Sequence, residues 1–119
     1  WIGVGLGLTG VGMNLVVANR YARTEIYINR GDQDENKACF DFLKQKQDAI
    51  ETAFGKPLTW ERMDTKVTAR IKNEIGQVDM YVREDWQKMF EFLLDSSKRM
   101  HSVFKPHVKD LGAYLRQRG

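Results

Sequence analysis

Tyr21-Ala22-Arg23-Thr24-Glu25-Ile26-Tyr27-Ile28-Asn29 is the stretch on which the fold turns. Ala22, Thr24, Ile26 and Ile28 fall on one side of an extended chain; Tyr21, Arg23, Glu25 and Tyr27 fall on the other. Period two in β-branched and aromatic residues predicts a strand with one face on a core and one face open. Residues 13–20 predict a second strand, joined to the first by a tight link at Ala18-Asn19-Arg20, where Asn tolerates turn geometry. Before it, Ile2, Val4, Leu6 and Leu8 alternate with Trp1, Gly3, Gly5 and Gly7, which predicts a third strand turning at Thr9-Gly10. A paired series of strands means an antiparallel sheet.

The apolar opening, residues 1–18, is long enough for a membrane span, and Val16-Val17-Ala18 imitates a cleavage site. Five glycines, strand period and the lack of a preceding basic region argue instead for a sheet strand and for no membrane partner. Gly5-Leu6-Gly7-Leu8-Thr9-Gly10 matches G-x-G-x-x-G in form. A dinucleotide fingerprint needs a helix opening on it, and the residues that follow have no helical period. The glycines are read as serving twist, a turn or close backbone approach.

Downstream, the period changes. Asn36, Phe40, Leu43, Gln47, Ile50 and Phe54 recur at steps of four and three, with Asp34 and Glu35 in the first turn, Gly55 as a C-cap and Pro57 beyond. One helix over 34–54 is predicted. Residues 58–62 and 66–73 predict two short strands, with Leu58, Trp60, Val67, Ala69 and Ile71 inward, and Gly76 closing the second. From residue 84, Trp86, Phe90, Leu93, Ser97, Met100, Phe104, Val108, Leu111 and Leu115 form a helical stripe whose phase survives Pro106. A long helix with a kink, or two nearly collinear helices, is expected, with a break and reorientation as the alternative. The expected fold is α+β: a five-stranded antiparallel sheet, β-β-β-α-β-β-α, with two long helices on one face. Trp60, Ile26, Ile28, Ile71, Phe40, Leu43, Ile50, Phe54, Trp86, Phe90 and Leu93 are expected in the core.

The length, 119 residues, suits one domain. Thirteen aromatics exclude a disordered chain, and a single cysteine, Cys39, excludes a disulfide scaffold. The net charge of +3 is uneven: residues 32–64 sum to −3, whereas residues 98–119 hold six cations against Asp110 alone. A basic end attracts phosphate, although cations also suit a helix C-terminus. The first residue is Trp1 rather than Met, which is read as a piece of a longer or processed protein.

Arg23-Thr24-Glu25-Ile26-Tyr27-Ile28, Asn36-Lys37, Phe40-Asp41, Leu43, Ile50-Glu51 and Phe54-Gly55 recur in order with Leu58, Trp60-Glu61, Arg70-Ile71, Asp85-Trp86 and Phe104-Lys105-Pro106. Over residues 10–115 this set resembles a bacterial family of domains of unknown function. Its members often stand C-terminal to a nuclease domain of the restriction or tRNA-endonuclease type. The resemblance implies an upstream nuclease-like domain, a nucleic-acid setting and a bacterial cytoplasm. It implies no reaction.

The chemistry agrees with that silence. A restriction-type nuclease needs an Asp and, on the next strand, an acid and a Lys two residues apart. Asp64 and Lys66 have the spacing but fall at a turn, and Glu25 is followed by Tyr27 instead of a base. Cys39, His101 and His107 are too few and wrongly spaced for zinc. Cys39 reads as a buried hydrophobe, and a nucleophilic role needs a His placed by the fold. No catalytic residue, metal or cofactor is expected.

Two surfaces remain. On the outer sheet face, Tyr21, Arg23 and Tyr27 with Lys66, Arg70 and Lys72 combine rings for stacking with cations for phosphate, and Lys98, Arg99, Lys105 and Lys109 extend the basic character along the last helix. The competing reading is a solvated sheet face with Glu25 paired to Arg70 or Lys72. The glycine face of the first strand, with any exposed part of the long helix, is the second surface, suited to an N-terminal domain or a second copy of the chain. The expected function is an accessory DNA- or RNA-binding module, and the alternative is a docking or dimerisation module that binds no nucleic acid.

Overall fold

A computed structural model describes residues 1–118. Five strands form one antiparallel sheet: β1 (Ile2–Leu8), β2 (Val11–Val17), β3 (Ala22–Ile28), β4 (Thr59–Glu61) and β5 (Ala69–Ile75), in the spatial order β1-β2-β3-β5-β4. Three helices, α1 (Gln33–Lys44), α2 (Gln47–Phe54) and α3 (Arg83–Arg118), follow the expected order with one addition. The class is α+β, and the helices cover the sheet face that carries Leu6, Met13, Ile26, Ile28 and Ile71. No helix among the described residues is long and apolar enough to cross a membrane.

The strand turns are those the sequence dictates. Ala18 N–H donates to Tyr21 C=O at 2.9 Å, leaving Asn19 and Arg20 as a two-residue loop. Gly10 has φ +83°, and a Cβ there would come within 2.8 Å of the Asn29 carbonyl, so only glycine closes β1 onto β2. The G-x-G-x-x-G run thus lies in β1 and this turn and leads into a strand.

The expected single helix over 34–54 is two. Lys46 N–H turns back to Leu43 C=O at 2.9 Å, a tightened last turn, before α2 begins. The polar run Lys44-Gln45-Lys46 interrupts the helix, and Leu43, Ile50 and Phe54 on either side of it are all buried. Asp32 caps α1 by accepting from Glu35 N–H, and Gly55 ends α2 at φ +99°.

Helix α3 runs through Pro106 without a break. Its C-terminal half is in the expected phase: Met100, Phe104, Val108 and Leu111 are buried. Its N-terminal half is not. Met89 and Ser96 face inward, whereas Trp86 and Phe90 are 53% and 73% exposed and Leu93 is half-buried. A strict four-three alternation has period 3.5, which drifts about 20° per heptad on a straight helix. Ser96 fixes the true phase. Its hydroxyl is buried against Thr24 and accepts from Asn73 Nδ2 at 2.9 Å, so a polar residue occupies a core position that an apolar stripe passes over. The Trp86 indole N–H donates to Met80 C=O, which holds the ring over the loop before α3.

Two smaller corrections concern β5 and β4. The strand expected from residue 66 begins at Ala69, so Val67 is 47% exposed. Trp60, expected in the core, is half-buried in the middle of β4, its ring edge-on to Phe40 at 6.1 Å.

Candidate nucleic-acid interface

The outer sheet face gathers Tyr21, Arg23, Tyr27, Arg70 and Lys72, as their alternation requires. Lys66 is absent from it. Its backbone N–H closes a turn on Met63 C=O at 2.8 Å, and it precedes β5. The register places Glu25 beside Lys72 and Tyr27 beside Arg70 on β3–β5, and Glu61 beside Arg70 on β4–β5.

That register neutralises the face. Arg23 Nε lies 2.7 Å from Glu25 and its Nη1 lies 3.8 Å from Glu74. Arg70 Nε lies 2.7 Å from Glu61, and Lys72 Nζ lies 3.5 Å from both Glu61 and Glu74. Glu25, buried in the middle, also accepts from Asn14 Nδ2 at 3.2 Å. Burial pushes the Glu61 carboxyl up, but the Arg70 hydrogen bond and the nearby charges outweigh it and hold the group below its ordinary value. Three cations and three carboxylates alternate, and a phosphate approaching this face competes with ion pairs already formed. Tyr21 is itself covered by Arg23, 5.2 Å from its ring centre.

The helix cations behave differently. Arg99 is tied to Asp95 at 3.2 Å and donates to Phe54 C=O at 3.2 Å. Lys98, Lys105, Lys109 and Arg116 form no ion pair among the described residues, and all four are exposed. Their spacing of seven, four and seven puts them on one flank of α3, about 27 Å from end to end. Asp110, the acid nearest in sequence, falls on another flank, 3.5 Å from Lys46. Lys105, Lys109 and Arg116 border a groove of about 650 Å³ floored by Leu6, Gly7, Leu8 and Gly112, with His101 and Ser102 on its helix wall. Arg116 belongs to this site. Its signal was the heptad spacing from Lys109, which charge counting alone does not reveal.

The residues with catalytic chemistry lie apart. Asp64 is bound to Arg62 in the turn before β5, with Lys66 close by in sequence, and Glu61 at the end of β4 is paired with Arg70. Among the described residues, no three His, Cys, Asp or Glu side chains stand close enough to share a metal ion. Cys39 is fully buried, and burial pushes its thiol up to about 11, so it is not poised as a nucleophile. His107 sits away from the groove; burial and then Lys46 lower its pKa.

Several residues of the resemblance prove to be fasteners. Asn36 accepts from Arg30 N–H at 2.7 Å and donates to Val67 C=O at 2.9 Å. Buried Lys37 donates to the carbonyls of Arg62, Met63 and Thr68 at 2.6, 2.9 and 2.6 Å. Glu51 accepts from Leu58 N–H at 2.7 Å and from the Trp60 indole at 3.1 Å. All three pin the β4 region and the loop before β5 to the helices.

A family model described as a domain of unknown function, DUF4268, matches residues 1–108. No curated protein and no solved structure matches the chain.

Proposed function

Taking as premise that the chain belongs to the DUF4268 family, we propose that it is an accessory nucleic-acid-binding module whose contact surface is the α3 flank of Lys98, Lys105, Lys109 and Arg116. The observation that carries this reading is the contrast between two sets of cations. Those of the sheet face are already matched by Glu25, Glu61 and Glu74. The four of the α3 flank lie in line and exposed, with no ion pair among the described residues. Phosphates spaced along a strand meet such a row without displacing a carboxylate, and each contact releases counterions. Recognition is of backbone charge and carries no sequence preference.

The resemblance supplies a setting: an upstream nuclease-like domain for which this module holds substrate. The module contributes no chemistry of its own in that arrangement. Titration of labelled single- and double-stranded DNA and RNA, followed by fluorescence anisotropy, tests the reading. Binding that weakens steeply between low and moderate salt is the expected result. If none of the four binds tighter than about 1 mM near 50 mM salt, well short of ordinary non-specific affinity, the reading falls and a docking role without nucleic acid replaces it.

A further inference from the structure

The two edges of the sheet are built differently. At one edge, β4 is three residues long, follows Pro57, carries Glu61 and is fastened by Glu51. Short length, proline and charge are the usual protections of an edge strand. At the other edge, β1 is seven residues long and pairs with β2 alone. Between Trp1 and Gly7 there is no charged side chain and no proline. Gly3 and Gly5 put no side chain of their own on its outer side, where the Trp1 ring lies over Gly3 and nothing lies over Gly5, and register stays regular from Ile2 to Gly5 before it shifts. The backbone groups on the free side of that segment are an open template for another strand.

Beside this edge the helix layer is incomplete. Trp86, Phe90 and Leu94 of α3, displaced from the core by the phase that Ser96 sets, face Ile2, Leu15 and Val17 of the sheet across a groove of about 540 Å³. No charged residue lines it. Ile2 is 64%, Phe90 73% and Leu94 55% exposed. With Trp1, Val17 and Trp86 these residues expose on the order of 800 Å², the area each partner contributes to an interface of standard size. A patch of that extent is larger than monomeric proteins commonly leave in water.

We propose that the occupant is a second copy of this chain, joined by antiparallel β1–β1 pairing about a two-fold axis. The edge and the groove are adjacent, and a two-fold contact uses the same strip on both sides, so a neutral strand of alternating glycine and aliphatic residues is its own complement. Side-chain parity fixes the choice of register. Directly opposed residues share a face, so Ile2 and Val4 of one copy stand beside even-numbered β1 residues of the other, and glycines stand beside glycines. The pairing continues the sheet across the axis, with both α3 helices on the same side and both apolar grooves at the seam. This contact does not depend on the phosphate-binding reading, because it uses backbone and apolar groups.

Sedimentation equilibrium on the whole chain, at low and at moderate salt, tests the proposal. The expected result is a dimer at both, with Ile2→Lys and Phe90→Lys each raising the dissociation constant at least about tenfold. Both positions are exposed in the single chain, so the circular dichroism of the variants stays that of folded protein. Hydrogen exchange slows, as protein concentration rises, at the alternate β1 amides whose N–H groups point away from β2. A monomer throughout the micromolar range, or a dimer that neither substitution weakens, overturns the proposal. Loss of nucleic-acid binding with the dimer intact affects only the earlier reading.

Discussion

The hydroxyls of Thr24 in β3 and Ser96 in α3 hydrogen-bond to each other where neither reaches solvent, although 72 positions separate them. With Asn73 of β5 they make a small polar latch between the sheet and its longest helix. A latch of this kind admits one rotational setting of α3, because a buried hydroxyl without a partner is costly.

Ser96→Ala is therefore expected to lose about 1–3 kcal/mol, since Thr24 and Asn73 are left short of a partner in the interior. Ser97→Ala, one position along and on the outside of the latch, is expected to stay within about 0.5 kcal/mol. Urea unfolding midpoints of the two variants decide the matter. Equal losses contradict the phase described for the N-terminal half of α3.

Lys37 acts through three backbone carbonyls. Lys37→Met keeps the length of the stem but orphans those acceptors, with an expected loss of about 2–3 kcal/mol. The loop of residues 62–68 loses its tether, so its amides exchange faster while those of β2 and β3 do not. Native-state hydrogen exchange reads both.

Glu51 gives the fold an acid-sensitive fastening. The Leu58 N–H bond, against the opposing push of burial, holds its carboxyl below the ordinary value of 4.5, and the Trp60 indole adds to the effect. A carboxyl whose folded pKa is depressed contributes stability above its unfolded pKa and loses it as pH falls through the folded value. The wild type is thus expected to exceed Glu51→Ala by about 1 kcal/mol near neutrality. Part of that gap closes as pH falls from 4.5 through the lower folded pKa. Denaturation at a series of pH values shows whether the two curves converge.

For nucleic acid, the contrast of cations yields a paired experiment. Lys105→Ala with Lys109→Ala is expected to weaken binding to all sequences alike and to reduce the salt slope by about 2. Arg70→Ala with Lys72→Ala is expected to leave the slope in place and to lower stability instead, because Glu25 and Glu61 lose their counter-charges. The opposite pattern moves the contact to the sheet face.

Much of this architecture is readable from periodicity. Strands β1 and β3, the two turns on either side of β2 and the core face of α1 follow from alternation, a positive-φ glycine and a capped amphipathic run, whereas β2, expected over 13–20, runs Val11–Val17. Where structure and expectation part in the N-terminal half of α3, the cause is a polar group whose partner is distant in the chain. Ser96 reads as a gap in an apolar stripe until Thr24 and Asn73 are beside it. Alternation already leaves pairing of Glu25 with Arg70 or Lys72 open as one reading of the outer face, whereas Glu61 and Glu74 come among Arg23, Arg70 and Lys72 only through the register. Local pattern reports which face a residue takes, and the neutralising partner is a matter of strand order.

The length and position of α3 bear on how the protein is made. A ribosome delivers the chain from the N-terminus, at about 5–20 residues per second. All five strands and the two short helices emerge before Arg83, the first residue of α3. Leu6, Val11 and Met13 then wait for Met100, Phe104 and Val108, which complete the core over β1 and β2. During that interval the nascent sheet presents an apolar face together with the open β1 edge, the combination most prone to mispairing with a neighbouring chain. Slowing of translation within α3 is a hazard for this protein in a way that slowing after Arg118 is not.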